Sequence, residues 1–85
     1  MKNQRQVFVL HVGTGQSIGP DDLRVMWATA CESLDISVNR KMTGPRPPSY
    51  GLWVGERFDR KSAETRMRGL LMARGYRFTL TNTAF

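Results

Sequence analysis

The 85-residue chain contains one cysteine, Cys31, and one histidine, His11. A single thiol excludes an internal disulfide and a cysteine-based metal site, and it fits a reducing compartment. His11 has neither a cysteine nucleophile nor a second metal ligand near it in the sequence, so it reads as a packed strand residue. Long apolar runs are also missing. The polar start Met1–Gln6 leads into Val7–Val12, a run broken by His11 and too short for a signal-peptide core or a membrane span. The expectation is a cytoplasmic protein with no membrane partner.

Catalytic constellations are equally scarce. No Ser-His-Asp set, metal cluster or pair of opposed acids is visible; Asp21 and Asp22 follow Pro20 and read as helix-start charges. Gly13-Thr14-Gly15-Gln16-Ser17-Ile18-Gly19 lies between a strand and a helix, as phosphate loops do. Its glycine spacing departs from the dinucleotide pattern, and no Lys-Ser/Thr pair follows. The chain is therefore expected to be a binding protein and not an enzyme, with no cofactor and no metal.

What is present is a small core and an excess of arginine. Hydrophobic residues make up 40% of the chain, enough for one small core, so residues 1–85 are expected to form a single domain. Residues 1–5 and 82–85 are expected as flexible ends. The formal net charge is +6 and lies entirely in the second part: residues 1–35 carry three Lys/Arg against four Asp/Glu, and residues 36–85 carry ten against three. An Arg-rich half points to a polyanionic or acidic partner, because guanidinium groups suit bidentate phosphate or carboxylate contacts.

Periodicity divides the chain into six elements. Gln6–Val12 reads as a strand ended by Gly13-Thr14-Gly15, with Val7, Val9 and His11 on one side and Phe8, Leu10 and Val12 on the other. Pro20–Ser33 reads as a helix, with Pro20 at its first turn and Leu23, Met26, Trp27, Ala30, Cys31 and Leu34 on one face. Trp27 and Cys31 are expected in the core. Leu34–Asn39 alternates as a half-buried strand, and Tyr50–Val54 forms a third strand after a loop held extended by Pro45, Pro47 and Pro48. A second helix is capped by Asp59 or Ser62, buries Ala63, Met67, Leu70 and Leu71, and stops at Gly75. Tyr76–Thr81 is the last strand.

The order β-α-β-β-α-β predicts an α+β, ferredoxin-like sandwich. Two right-handed crossovers place both helices on one face of a four-stranded antiparallel sheet of order 4-1-3-2. The first and third strands are central, and their second faces are also apolar. Phe8, Leu10, Tyr50, Leu52 and Val54 are then expected together on the open face, with Trp53 turned inward to the helices. An apolar open face marks a binding or dimer surface.

On these residues the chain resembles the RNA recognition motif family. Val7-Phe8-Val9-Leu10-His11-Val12 is similar to that family's first-strand signature, and Pro48-Ser49-Tyr50-Gly51-Leu52-Trp53 to its third-strand signature. The resemblance implies stacking aromatics at Phe8 and Tyr50, with Leu52 where the other main aromatic belongs, and Pro48 and Ser49 in place of the usual Arg/Lys-Gly. The nucleic-acid-binding set expected is Phe8, Leu10, Arg40, Lys41, Arg46, Tyr50, Leu52 and Arg77, in which bases stack on the sheet and Arg40–Arg46 follows the backbone of single-stranded RNA or DNA. The alternative is a protein-interaction module: a small phage or mobile-element inhibitor or adaptor that meets an acidic protein surface, or a homodimer through the sheet face. A second resemblance, to the sporulation-related repeat that binds cell-wall glycans, rests on Tyr50-Gly51-Leu52-Trp53-Val54-Gly55, Ser62-Ala63-Glu64 and Gly75-Tyr76.

Overall fold

A computed structural model describes residues 4–42, 48–55 and 58–83. The elements are β1 (Arg5–Val12), α1 (Pro20–Cys31), β2 (Ile36–Lys41), β3 (Ser49–Val54), α2 (Arg60–Ala73) and β4 (Phe78–Asn82). The strands form one antiparallel sheet in the order β2-β3-β1-β4, which is the expected order read from the other edge. Both helices cover one face, and the core lies between them and the sheet. This is the α+β class that the sequence predicts.

Element ends differ from expectation where the stop signal is not glycine. α1 ends at Cys31, two residues early, because Glu32 turns into the left-handed region at φ 54°. The N–H of Ser33 then reaches back to the carbonyl of Ala28 at 3.2 Å. This throws Leu34 into solvent, 89% exposed, instead of onto the helix's apolar face. β2 consequently starts at Ile36. At the other helix, Asp59 is the cap: its carboxylate accepts from the N–H and the hydroxyl of Ser62 at 3.3 and 2.9 Å, which holds it below the usual carboxylate range. Gly75, at φ +78°, ends that turn as expected. The termini are tied in further than the sequence suggests. Arg5 is in β1, Asn82 is in β4, and the N–H of Thr83 donates to the carbonyl of Val7 at 2.8 Å.

The core comprises Val7, Phe8, Leu10 and Val12 of β1, Leu23, Met26, Trp27 and Ala30 of α1, Tyr50, Leu52 and Val54 of β3, and Ala63, Met67 and Leu71 of α2, joined by Ile18, Ile36 and Leu80. Phe8, Trp27 and Phe58 form a triangle of rings with centroids 5.9 to 6.3 Å apart. Edge-on aromatic pairs of this kind contribute about 0.5–1.5 kcal/mol beyond the area they bury. The indole N–H of Trp27 donates to the carbonyl of Trp53 at 3.0 Å, so the buried ring carries no unpaired donor.

The expected faces of the two central strands are reversed. Phe8, Leu10, Tyr50, Leu52 and Val54 point at the helices and are buried; none lies on the open face. Trp53 and His11, expected inside, stand on the open face, half-buried and exposed respectively. The physical reason is a count of buried surface. On β3 the choice lies between burying Tyr50, Leu52 and Val54 or burying Trp53 alone beside Gly51. Each fully buried large apolar side chain stabilises by about 1.5–3 kcal/mol, so three outweigh one. On β1 a bulge between Gln6 and Phe8 lets Val7 and Phe8 both turn inward opposite Leu52.

Candidate binding face of the sheet

The uncovered face is set by the register. Its first row runs Ser37, Trp53, Gln6 across β2, β3 and β1; its second runs Asn39, Gly51, Val9, Thr81; its third runs Lys41, Ser49, His11, Thr79. No Asp or Glu stands in these rows. Trp53 is the single Phe, Trp or Tyr among them, and every other described one lies in the core or packs against it.

Trp53 is held in place by polar neighbours. Its indole N–H donates to Asn39 Oδ1 at 3.3 Å. Gly51, next along the face, has no side chain, and the space above its Cα is filled by Asn39 Oδ1, Gln6 Oε1 and Trp53 Nε1. A glycine here lets two amide groups close over the sheet beside the indole. Below this row, the Ser37 hydroxyl donates to Gln4 Oε1 at 2.5 Å, and Gln4 Nε2 donates to Asp35 Oδ1 at 3.0 Å. The ring is thus fixed at its edge and its polar atom is satisfied, which leaves the indole as an amphipathic surface group.

The basic residues expected in the site divide into three groups. Arg40 and Lys41 are exposed at the end of β2, and Lys41 continues the open face. Arg77 is exposed just before β4 at the same end of the sheet, where its carbonyl accepts from Gly13 N–H at 2.8 Å and its N–H donates to Gln16 Oε1 at 2.8 Å. Arg46 lies outside the described residues. The row with Lys41 and the row with Trp53 are four residues apart along β3, about 13 Å at the usual rise. The face therefore has an aromatic end and a cationic end, and the two are not in contact.

Phe8, Leu10, Tyr50 and Leu52 are removed from the candidate site. Phe8, Leu10 and Leu52 are wholly buried, and no base can reach them without unfolding the core. Tyr50 serves the fold instead. Its hydroxyl accepts a hydrogen bond from the N–H of Ile18 at 3.0 Å and so ties the Gly13–Gly19 loop to β3. Sequence reasoning missed Trp53 and His11 as surface groups. The clean alternation of the edge strands, Ser37 and Asn39 against Ile36 and Val38 and Thr79 and Thr81 against Phe78 and Leu80, carried that signal. It transfers to the central strands only through the register.

The Cys31 thiol is pushed up to about 12 by burial, against a small opposing effect of the Arg66 charge, so it is a poor nucleophile. Among the described residues no group of three or more His, Cys, Asp or Glu could hold a metal ion, and no described helix is long and apolar enough to cross a membrane. No family model matches this chain, and neither the curated proteins nor the solved structures yield a match.

Proposed function

We propose that this domain is a small nucleic-acid-binding module that takes a single strand of RNA or DNA across its open sheet face. The observation that carries the reading is Trp53, an edge-anchored indole standing alone among the described aromatics on the open face, where the rows from Trp53 to Lys41 hold no carboxylate and Asp35, one row beyond Trp53, is engaged by Gln4. One base stacks on Trp53, a contact worth about 1–3 kcal/mol. The backbone of the strand runs toward Lys41 and Arg77, whose charges attract phosphates without reading sequence. Asn39, Thr79, Thr81 and Ser49 supply neutral donors and acceptors between the two ends. The net charge of +6 favours the same class of partner. Compared with the expectation from the family resemblance, the stacking platform moves from Phe8 and Tyr50 to Trp53.

The test is a fluorescence-anisotropy titration of labelled oligo(U) and oligo(dT) at low and moderate salt. Binding that weakens steeply with salt and falls about tenfold in Trp53→Ala supports the reading, since tenfold corresponds to about 1.4 kcal/mol. Binding that is absent at low salt, or unchanged in Trp53→Ala, overturns it. Light scattering in parallel reports the other expected use of this face: a stable dimer dissolved by Trp53→Ala assigns the indole to a second copy.

A further inference from the structure

The two edges of the sheet are treated differently. In β4 the odd-numbered positions face β1, as the bonds Gly13 N–H to Arg77 O and Thr83 N–H to Val7 O fix, so the Leu80 carbonyl points outward. It is capped there. Arg68 of α2 donates from Nη2 to Leu80 O at 3.3 Å, pairs with Glu64 at 3.0 Å, and lies over the Phe78 ring at 5.9 Å from its centroid. A guanidinium drawn across an outer strand blunts it against further pairing.

At β2 the bond from Gly55 N–H to Asp35 O fixes the opposite phase. Ser37, Asn39 and Lys41 pair with β3, and the backbone groups of Ile36, Val38 and Arg40 aim away from the sheet. No described residue bonds to them. Beside this edge is an apolar recess of about 70 Å³ lined by Pro20, Leu23, Val38, Asn39, Arg40 and Tyr50. The Tyr50 hydroxyl is already taken by Ile18, so the ring presents carbon to the recess. That is room for one small aliphatic group. Next along the strand stand Arg40 and Lys41, exposed and in no ion pair with a described residue.

We infer that β2 is a docking edge for an extended acidic peptide segment of a partner protein, which adds a fifth strand. Strand addition supplies main-chain hydrogen bonds to Ile36, Val38 and Arg40, and alternate side chains supply specificity. A side chain opposite Val38 shares its face and enters the recess, so it is aliphatic. The side chain two positions away lies opposite Arg40, so it is Asp or Glu. The motif is one aliphatic and one acidic residue separated by a single position, and their order reports whether the added strand runs parallel or antiparallel. Charge complementarity selects this occupant, since a segment carrying Lys or Arg opposite Arg40 is repelled.

The probes are two acetylated heptapeptides of threonine, one with leucine then aspartate two positions on, the other with the order reversed. They are titrated into the whole ¹⁵N-labelled chain. Amide shifts confined to Leu23 and Ile36–Lys41 with one of the two peptides are the expected result. Val38→Pro should abolish them, because the lost N–H points outward and the sheet's own ladder is untouched. Should that variant fail to fold, Arg40→Glu decides: it should weaken the aspartate peptide at least tenfold and favour a lysine-containing version. Equal binding of a leucine-free peptide, shifts centred on Trp53, binding by neither peptide, or indifference to Arg40→Glu overturns the inference. A homodimer that Val38→Pro dissolves also overturns it, since a second copy would then hold the edge.

Discussion

The phenol of Tyr50 and the backbone N–H of Ile18 meet at 3.0 Å in the core, 32 residues apart in sequence. This single bond gives the β1–α1 loop a fixed end on the central strand, and it explains why a tyrosine rather than a phenylalanine is buried there. In Tyr50→Phe the Ile18 amide is left buried without a partner, at a cost of about 1–3 kcal/mol. Chemical denaturation should show that loss, and hydrogen exchange should accelerate at Ile18 more than at strand amides. Oligonucleotide affinity should stay as it is in the parent.

Phe8 and Trp53 separate stability from binding. Phe8→Ala opens a cavity against Trp27 and Phe58 and should cost about 3–5 kcal/mol, enough to unfold most of a small domain. Trp53→Ala removes a half-buried ring from the open face and should cost far less while weakening single-stranded nucleic acid about tenfold. Thermal melts and titrations on both variants check the pair; a result with the roles exchanged would restore Phe8 as the stacking residue.

Gly51 and Gly55 sit two turns of the alternation apart and respond differently to a methyl group. A Cβ at Gly55 overlaps the Asp35 carboxylate, whose Oδ1 accepts from Gln4, at the point where Gly55 N–H bonds Asp35 O. Gly55→Ala should therefore destabilise by about 1–3 kcal/mol. At Gly51 the methyl overlaps only Asn39 Oδ1 and crowds Gln6 Oε1 at 2.7 Å, both ends of movable side chains. Gly51→Ala should keep most of the stability but free the Trp53 indole, visible as a shift of the indole N–H resonance.

Cys31 gives an alkaline signature. Its ordinary value of 9.0 rises to about 12 in the fold because burial disfavours the thiolate. The raised value contributes stability that is fully present below pH 9, and that is lost as pH climbs from about 9 through 12 while the unfolded thiol ionises first. The difference in unfolding free energy between the parent and Cys31→Ala should therefore be flat up to pH 9 and fall above it. Iodoacetamide at neutral pH should label the native thiol slowly and the denatured one at an ordinary rate.

The element order, the two helices and the sheet order were legible in the sequence because each rests on a local signal: Pro20 and Asp59 at the helix starts, Gly75 at a stop, alternation in the edge strands. Of the candidate face, only the cations Lys41 and Arg77 were picked out in the sequence; Arg40 lies on the other side of β2, beside Val38. The face of a central strand is not a local property. With Phe8, Leu10 and Val12 opposed by Val7, Val9 and His11, both readings of β1 look apolar. Only the pairing of Val9 with Thr81 and Gly51 with Asn39 ties the central strands to the polar side of their neighbours. Leu34 failed for a related reason: Glu32 in the left-handed region ends the helix without the glycine that would have marked it.

Val7 shows how little separates the two readings. Gln6 and Phe8 are two positions apart, which in a regular strand means the same side, yet Gln6 lies across from Trp53 on the open face and Phe8 across from Leu52 in the core. The strand thus keeps two clocks, with a half-period slip at Val7. A grafted epitope or label counted outward from Leu10 will land on the wrong side once it passes Val7. Deleting that residue would bring the clocks into step and leave both faces composed as they are, short of one valine.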